Sequence, residues 1–282
     1  CAPVPADVGL GSQPIIAIRY EWEPFVRGER SWMESCVKKD YERIRELGFN
    51  AVWADYVAAG ERAEAARVAL ATGLAVLLPQ IAPAGELVTH DAGGGMSEVQ
   101  GAFPDEATAG LAVVNAWGGA VRPIDVALRM EYARGLAAGH NQGVLVWRYR
   151  SWPGEENGIA GDDGRVEARA ERAVRSLVGR VRDWGPVIKR AELVPEAPVS
   201  VEGSDSLAAS CYASRAGPLV IVRNVDAEHV SRGVVSIPAV LAGRSVTRAV
   251  ERGSGQRFAV QDGGVCIPVR LGPGDAALFE IH

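Results

Sequence analysis

One carboxylate, Glu98, stands in a setting that suggests chemistry. It lies in the stretch GGGMSEVQGAF, residues 93–103, between a glycine cluster and a long loop, and residues 96–102 predict a strand. A carboxylate on such a strand is either a catalytic nucleophile in a pocket or a solvated glutamate on an edge strand that pairs with an arginine. The elements before and after Glu98 must decide between these two interpretations.

A strand rich in polar-tipped aromatic residues is the second candidate feature. The run GVLVWRYR, residues 143–150, predicts a buried strand that carries Trp147, and residues 148–152 contain two arginines, a tyrosine and a further tryptophan. Such side chains combine apolar faces with hydrogen-bond donors, as ligand pockets require. Plain core packing is the alternative role for Trp147. Trp22 and Trp117 stand in predicted loops that should lie on the same rim.

The elements that must position these residues alternate along the first part of the chain. Apolar runs at residues 14–20, 50–57 and 74–83 predict three buried strands. Amphipathic segments at residues 31–47 and 61–73 predict helices between them. A β-α-β-α-β order with short connections predicts a parallel sheet with right-handed crossovers.

The alternation stops after the third strand. Residues 84–95 show neither a helical period nor a convincing strand, and residues 103–122 predict one long loop. A helix is then predicted from Pro123 to Gly139, and a longer one over residues 166–184.

The character of the chain changes near residue 192. The stretch LVPEAPVSVEGSDS is a junction that bears proline and serine, and no amphipathic helix is visible after it. Short alternating apolar runs, such as LVIVRNV and VCIPVRL, are separated by Gly, Asp and Pro turns. That spacing predicts a small antiparallel β-sandwich over residues 193–282.

Three stretches of the chain resemble the retaining (β/α)8-barrel glycoside hydrolases of the β-galactosidase type. Residues 32–56, which contain RELGFNAVWADY, are similar to the first helix and second strand of those barrels. Residues 96–103 resemble the seventh strand, whose terminal Glu is the nucleophile. Residues 122–165 resemble the seventh helix, the eighth strand and the loop after it. The resemblance implies an α/β fold with a TIM-barrel-like domain at residues 14–192, followed by the β-sandwich domain at 193–282.

The resemblance also implies a function and a set of site residues. Glu98 matches the nucleophile of an enzyme that hydrolyses glycosidic bonds of an oligo- or polysaccharide with retention. Trp147 matches the aromatic platform of the sugar subsite, and Arg19 with Tyr20 ends the first strand, facing the same pocket. This chemistry requires no metal and no organic cofactor, and its partner is a carbohydrate. The substrate-binding residues expected at this rim are Trp147, Arg19, Tyr20, Asp55 and Trp22.

The sequence departs from the family at the acid/base residue. Those barrels supply it from an Asn-Glu pair, and no Asn-Glu dipeptide occurs in this chain. Without such a group, a nucleophile would lack the factor of ~10² to 10⁴ that positioned proton transfer supplies. The alternative function is a catalytically inactive carbohydrate-binding or structural protein on a degenerate glycosidase barrel. The carboxylates that could replace the missing acid are Asp55, Glu21, Glu23 and Asp91. A surface or loop-anchoring carboxylate is the alternative role for each of them.

The number of strands also departs from the family. The middle βα units of an eight-stranded barrel, each commonly ~30 residues, do not fit into residues 84–95. Either the barrel is shortened, or an internal segment is absent from the sequence. An incomplete sheet would leave an exposed strand edge, so homo-oligomerisation is a further hypothesis.

Composition excludes two classes of interaction. The 282 residues carry a formal net charge of −5 with Lys and Arg scattered, so no basic stripe indicates binding to nucleic acid. The chain is 48% hydrophobic, yet no apolar run approaches the ~20 residues of a transmembrane helix.

The four cysteines, Cys1, Cys36, Cys211 and Cys266, show no CxxC pattern and no metal-ligand spacing. Cys211 and Cys266 lie in apolar, strand-like runs, which allows either a disulfide or two buried thiols. Cys1 opens a Pro-rich stretch, and residues 1–13 suit a tether. Cys1 is either a lipid-modified residue left by signal-peptidase cleavage or an arbitrary boundary, so an exported, lipid-anchored protein and a cytoplasmic one both stay open.

Overall fold

The computed structural model describes residues 13–21, 37–55, 62–77, 110–115, 123–151, 158–161, 163–261 and 263–282. The helices in these ranges are α1 (Lys38–Glu46), α2 (Arg62–Ala71), α3 (Ile124–Ala137) and α4 (Ala168–Ile188). The strands that accompany them are β1 (Ile15–Glu21), β2 (Ala51–Asp55), β3 (Ala75–Leu77), β4 (Leu111–Val114) and β5 (Gly143–Val146). None of these helices is long and apolar enough to cross a lipid bilayer.

These strands form one parallel sheet in the order β3-β2-β1-β5-β4. From β1 to β2 to β3, and from β4 to β5, the chain always steps in the same direction. Right-handed crossovers that advance in one direction place their helices on one face of the sheet. In a doubly wound sheet the strand order reverses at β1, so that β4 pairs with β1. In this sheet β5 pairs with β1 instead. The described strands therefore form an open arc with the strand order of a barrel, in which β5, the last of the parallel strands, lies beside β1, the first.

The two faces of the parallel sheet have different neighbours. Ile16, Ile18 and Val52 belong to a large core cluster that contains buried residues from every described helix. A smaller cluster on the other face is built from strand residues. Because successive side chains of a strand point to opposite faces, this smaller cluster marks the face that a barrel encloses. Its buried members are Ile15, Ala17, Ala51, Trp53, Leu77, Leu111 and Leu145.

The strand β4 corrects the expectation of one long loop over residues 103–122. Leu111–Val114 pairs in parallel with β5, and three of its four residues are buried. A run of four residues is too short to show a period, which is why the sequence pattern does not reveal it. In the described sheet β5 has β1 on one side and β4 on the other. The strand predicted at residues 96–102 lies outside the described residues and stays a prediction.

The remainder of the described chain forms antiparallel sheets. Their strands are β6 (Glu192–Val194), β7 (Ser200–Glu202), β8 (Leu207–Ala213), β9 (Leu219–Asn224), β10 (Ser231–Pro238), β11 (Val240–Leu241), β12 (Arg244–Ser245), β13 (Arg248–Glu251), β14 (Arg257–Ala259), β15 (Gly264–Leu271) and β16 (Ala276–Ile281). A larger sheet has the strand order β14-β13-β16-β9-β8-β6, a smaller one has the order β15-β10-β7, and β11 pairs with β12. The two main sheets enclose one core, to which the larger contributes Val222 and Phe279 and the smaller Val235 and Ile267.

The outer face of the larger antiparallel sheet packs against the helix layer. Ile221 belongs to the same core cluster as the buried residues of α3 and α4. The hydroxyl of Tyr212 donates a hydrogen bond to the carbonyl oxygen of Leu136 in α3. Arg180 of α4 pairs with Asp275 at 2.6 Å. The antiparallel part is thus fastened to the side of the parallel sheet that carries the helices.

The described cysteines are both free thiols, so no disulfide joins Cys211 to Cys266. Cys211 in β8 is buried, as expected, whereas Cys266 is exposed. Alternate residues of β15 point into the core and into solvent, and Cys266 falls on the solvent side. The expectation of a buried thiol is therefore wrong for Cys266. Cys1 and Cys36 lie outside the described residues.

Candidate functional site

Arg19, Trp53 and Trp147 meet at the carboxyl ends of neighbouring strands. Arg19 of β1 is the register partner of Trp53 of β2, and Trp147 directly follows β5. The guanidinium carbon of Arg19 lies 4.5 Å from the centre of the Trp147 ring. Trp53 belongs to the cluster on the face that a barrel encloses, and register partners share a face. We call these three residues the site layer.

The contact between Arg19 and Trp147 is shielded from water. Arg19 is 1% exposed and Trp147 is 9% exposed. A guanidinium over an indole face is attracted by the ring quadrupole, and this attraction reaches about 2 kcal/mol where both groups are desolvated. Because Arg19 covers one face of the indole, a ligand would have to contact Trp147 at its edge or on its other face.

Tyr20 does not share the pocket of Arg19, and the expectation that it faces that pocket is wrong. Neighbouring residues of a strand point to opposite faces, so Tyr20 points to the helix side, where it belongs to the large core cluster. Its hydroxyl donates a hydrogen bond of 2.6 Å to a carboxylate oxygen of Asp40 in α1. Burial, followed by the negative charge of Asp40, raises the pKa of Tyr20 well above its ordinary value.

Two acidic residues end the strands on which the site layer stands. Glu21 and Asp55 are register partners at the last positions of β1 and β2. They follow Arg19 and Trp53, respectively, by two positions. Neighbouring strands lie about 4.8 Å apart, so the backbones of Glu21 and Asp55 are close together. Within the described side chains, no group of three or more His, Cys, Asp and Glu residues could hold a metal ion.

Glu98 and Trp22 lie outside the described residues, as do Trp117 and the candidate acids Glu23 and Asp91. Their roles stay predictions. For Asp55 the structure gives the position of the backbone, so its role in substrate binding also stays a prediction. Of the expected set, the structure brings Arg19 and Trp147 together and separates Tyr20 from them.

Trp53 is the member of the site layer that sequence reasoning missed. It is 6% exposed and lies in β2, two residues before Asp55. The signal was present, because a residue two positions before a strand-end carboxylate shares its face of the strand. A tryptophan within an apolar strand is equally typical of a core residue and of a site residue. The pairing of β2 with β1 is what shows that Trp53 adjoins Arg19.

Comparison with known proteins shows similarity in fold. No protein-family model matches the sequence, and no curated protein matches it. The structure of AmyP in complex with maltose aligns with a TM-score of 0.51 at 10% identity, covering 97% of this chain and 98% of AmyP. A Glu-to-Gln variant of AmyP in complex with maltotriose aligns with a TM-score of 0.50 at 10% identity, covering 98% and 99% of the two chains. A maltogenic alpha-amylase, AmyB from Thermotoga neapolitana, has a TM-score of 0.47 at 11% identity, with coverage of 94% and 99%.

The two AmyP structures support a fold of the kind found in TIM-barrel glycoside hydrolases over nearly the whole chain. Identities of about 10% say nothing about catalytic residues. The likeness concerns the fold alone, so it supports the barrel part of the resemblance and leaves the β-galactosidase type a prediction.

Proposed function

We propose that this protein is a glycoside hydrolase-like protein that holds an oligo- or polysaccharide at the carboxyl ends of β1, β2 and β5. The observation that carries this proposal is the site layer, in which Trp147 and Trp53 stand on the strands either side of Arg19. Aromatic rings contact the apolar faces of sugar rings, and the buried guanidinium of Arg19 holds the indole of Trp147 in place. Barrel enzymes bind their substrates at this end of the strands.

The proposed reaction is hydrolysis of a glycosidic bond with retention, which requires two carboxyl groups about 5 to 5.5 Å apart. The carboxylate of Glu98 attacks the anomeric carbon, the bond from that carbon to the leaving oxygen breaks, and a glycosyl ester forms. A second carboxyl donates its proton to the leaving oxygen, then takes a proton from the water that cleaves the ester. Glu21 and Asp55 are the proposed sources of this second carboxyl, because they end the two strands beside the site layer.

A carbohydrate-binding protein without hydrolase activity is the second candidate. It is favoured by the absence of any Asn-Glu dipeptide, from which the related barrels supply their acid/base residue. In that case the site layer would still bind sugar, while no carboxyl would be in place to protonate the leaving group. The two candidates therefore predict the same binding and different catalysis.

Binding and hydrolysis measured on the same preparation test both candidates. Maltotriose is a suitable first probe for calorimetry, because a protein of similar fold binds it. A panel of nitrophenyl glycosides, including α-glucosides and β-galactosides, reports hydrolysis and its sugar preference. Saturable binding with release of nitrophenol supports the hydrolase. Saturable binding without release supports the second candidate. Neither binding nor release, across maltotriose and a wider oligosaccharide panel, overturns the proposal.

A further inference from the structure

A buried charge network joins three elements behind the site layer. Asp40 of α1 accepts hydrogen bonds from Nε of Arg150 at 2.6 Å and from Nη2 of Arg150 at 2.9 Å. The hydroxyl of Tyr20 in β1 donates to the same carboxylate at 2.6 Å. The side chains of Asp40 and Arg150 are only 6% and 11% exposed. One carboxylate thus links the end of the first strand, the first helix and the segment after β5.

The segment that Arg150 anchors is the one that begins with Trp147. It is held on its other side by a short backbone ladder: the amide of Ala160 donates to the carbonyl oxygen of Tyr149, and the amide of Ser151 donates to that of Ala160, both at 2.8 Å. Arg150 and Ala160 form a parallel bridge. The position of the backbone after β5 therefore depends on Arg150 as well as on the sheet.

Gly164 shows how closely the following loop approaches this network. It has a φ of 79°, and a Cβ atom there would lie 2.6 Å from Nη2 of Arg150 and 3.1 Å from a carboxylate oxygen of Asp40. A side chain would therefore collide with the ion pair, and a left-handed φ is strained for most other residues. The loop closes over the Asp40–Arg150 pair because its residue 164 is a glycine.

We infer that Asp40, Tyr20 and Arg150 are positioning residues that hold Trp147 against Arg19. Tyr20 is the chain neighbour of Arg19, and Arg150 follows Trp147 by three residues. The carboxylate of Asp40 therefore holds the backbone beside Arg19 and the backbone beside Trp147 from the helix side of the sheet. A buried ion pair contributes little net stability compared with apolar packing, but it specifies geometry when every group is satisfied. The ligand-binding part of this inference rests on the proposed function.

The test compares Asp40→Asn with Asp275→Asn, which removes the same charge from the Arg180–Asp275 pair at 2.6 Å, between α4 and the turn before β16. Hydrogen exchange followed by mass spectrometry reports residues 143–151 and 158–166, and acrylamide quenching reports exposure of tryptophan. In Asp40→Asn we expect exchange in these two segments to rise by about tenfold or more relative to the control, in solvent conditions where both variants are fully folded. Maltotriose affinity should fall with it, while the control keeps the wild-type affinity.

A second variant keeps the test open if Asp40→Asn does not fold. Tyr20→Phe removes one hydroxyl and retains the ring, which packs edge-on against Tyr41 at 5.2 Å and beside Tyr149 at 6.0 Å. It should give the same local pattern at smaller amplitude. Equal increases in exchange across all segments, or none in residues 143–151, would overturn the inference. Because exchange is read without ligand, a wild-type protein that binds no sugar would defeat the proposed function and leave this test intact.

Discussion

The guanidinium carbon of Arg19 lies 4.5 Å from the centre of the Trp147 ring, at the carboxyl end of the parallel sheet. A chemically similar pair, Arg180 over Trp184 at 5.2 Å, lies within α4. The two indoles are almost equally buried, with 9% of Trp147 and 5% of Trp184 exposed. The Arg180–Trp184 pair within α4 therefore serves as a control for the Arg19–Trp147 pair at the strand ends.

Replacing Trp147 by Phe should weaken maltotriose binding, and replacing Trp184 by Phe should not. Phe keeps an aromatic ring but removes indole area, and stacking between an aromatic ring and a ligand depends on that area. We expect Trp147→Phe to raise the dissociation constant about tenfold, which corresponds to about 1.4 kcal/mol. Calorimetric titration of both variants at equal folded fraction measures it. An equal loss of affinity in the two variants would mean that Trp147 acts as core and not as platform.

Glu98→Gln should abolish hydrolysis of any nitrophenyl glycoside that the wild type cleaves. The amide cannot form the glycosyl ester, so the expected loss of kcat is at least as large as the ~10² to 10⁴ of a positioned proton transfer. Binding of maltotriose should persist, because the site layer is unchanged. Hydrolysis that continues at the wild-type rate in Glu98→Gln would remove this residue from the reaction.

Asp55→Asn tests the second carboxyl against Glu98. If Asp55 is the acid, its amide variant should lose activity most on substrates with poor leaving groups, because nitrophenolate departs without protonation more readily than a sugar hydroxyl. Rates on nitrophenyl glycosides and on oligosaccharides should therefore separate in Asp55→Asn. Glu21→Gln is the matched variant, since Glu21 is the register partner of Asp55. Equal rates to the wild type on both substrate classes, in both variants, would exclude this pair.

The long elements of the fold could be predicted from the sequence because their apolar residues form an unbroken run, as in β1, or recur with a helical period, as in α4. The strand predicted at residues 14–20 is observed as Ile15–Glu21, and the helix predicted at 166–184 is observed as Ala168–Ile188. β4 could not be predicted, since four apolar residues in a glycine-bearing stretch carry no period. Its place beside β5 is set by pairing with a strand that follows it by about 30 residues.

The candidate site could be predicted in part. The sequence identifies Arg19 and Trp147 as strand-end residues. Their contact depends on the pairing of β1 with β5, although β2, β3 and β4 lie between these two strands in the chain. Asp40 and Arg150 are 110 residues apart, and no local pattern connects them. Tyr20 faces away from the pocket of Arg19 because two adjacent residues of a strand point to opposite faces.

Tyr212→Phe should loosen the attachment of the antiparallel sheets to α3. The Tyr212 hydroxyl donates to the carbonyl oxygen of Leu136, and the residue is fully buried. Losing a buried hydrogen bond of this kind should lower the free energy of unfolding by about 1 kcal/mol. Tyr149→Phe is the matched control, since its hydroxyl lies 3.4 Å from the carbonyl oxygen of Gly164 and makes a weaker bond. Urea unfolding measures both, and a larger loss in the control would contradict this assignment.

Alkaline pH should lower the free energy of unfolding through four buried tyrosines and one buried cysteine. Burial is the main cause that raises the pKa values of Tyr20, Tyr132, Tyr149 and Tyr212, and it raises the pKa of Cys211 to about 11. A raised pKa in the folded state means that the unfolded chain loses these protons first. The stabilisation is therefore complete below the unfolded pKa values, about 8.5 for the thiol and about 10 for the tyrosines, and is lost as the pH rises above them.

Urea unfolding between about pH 8 and pH 11 should show a falling free energy of unfolding that steepens above pH 10, with tyrosinate absorbance appearing together with unfolding. A free energy that stays constant to pH 11, or four tyrosines that ionise near pH 10 in a protein that stays folded, would show that these hydroxyls are open to water.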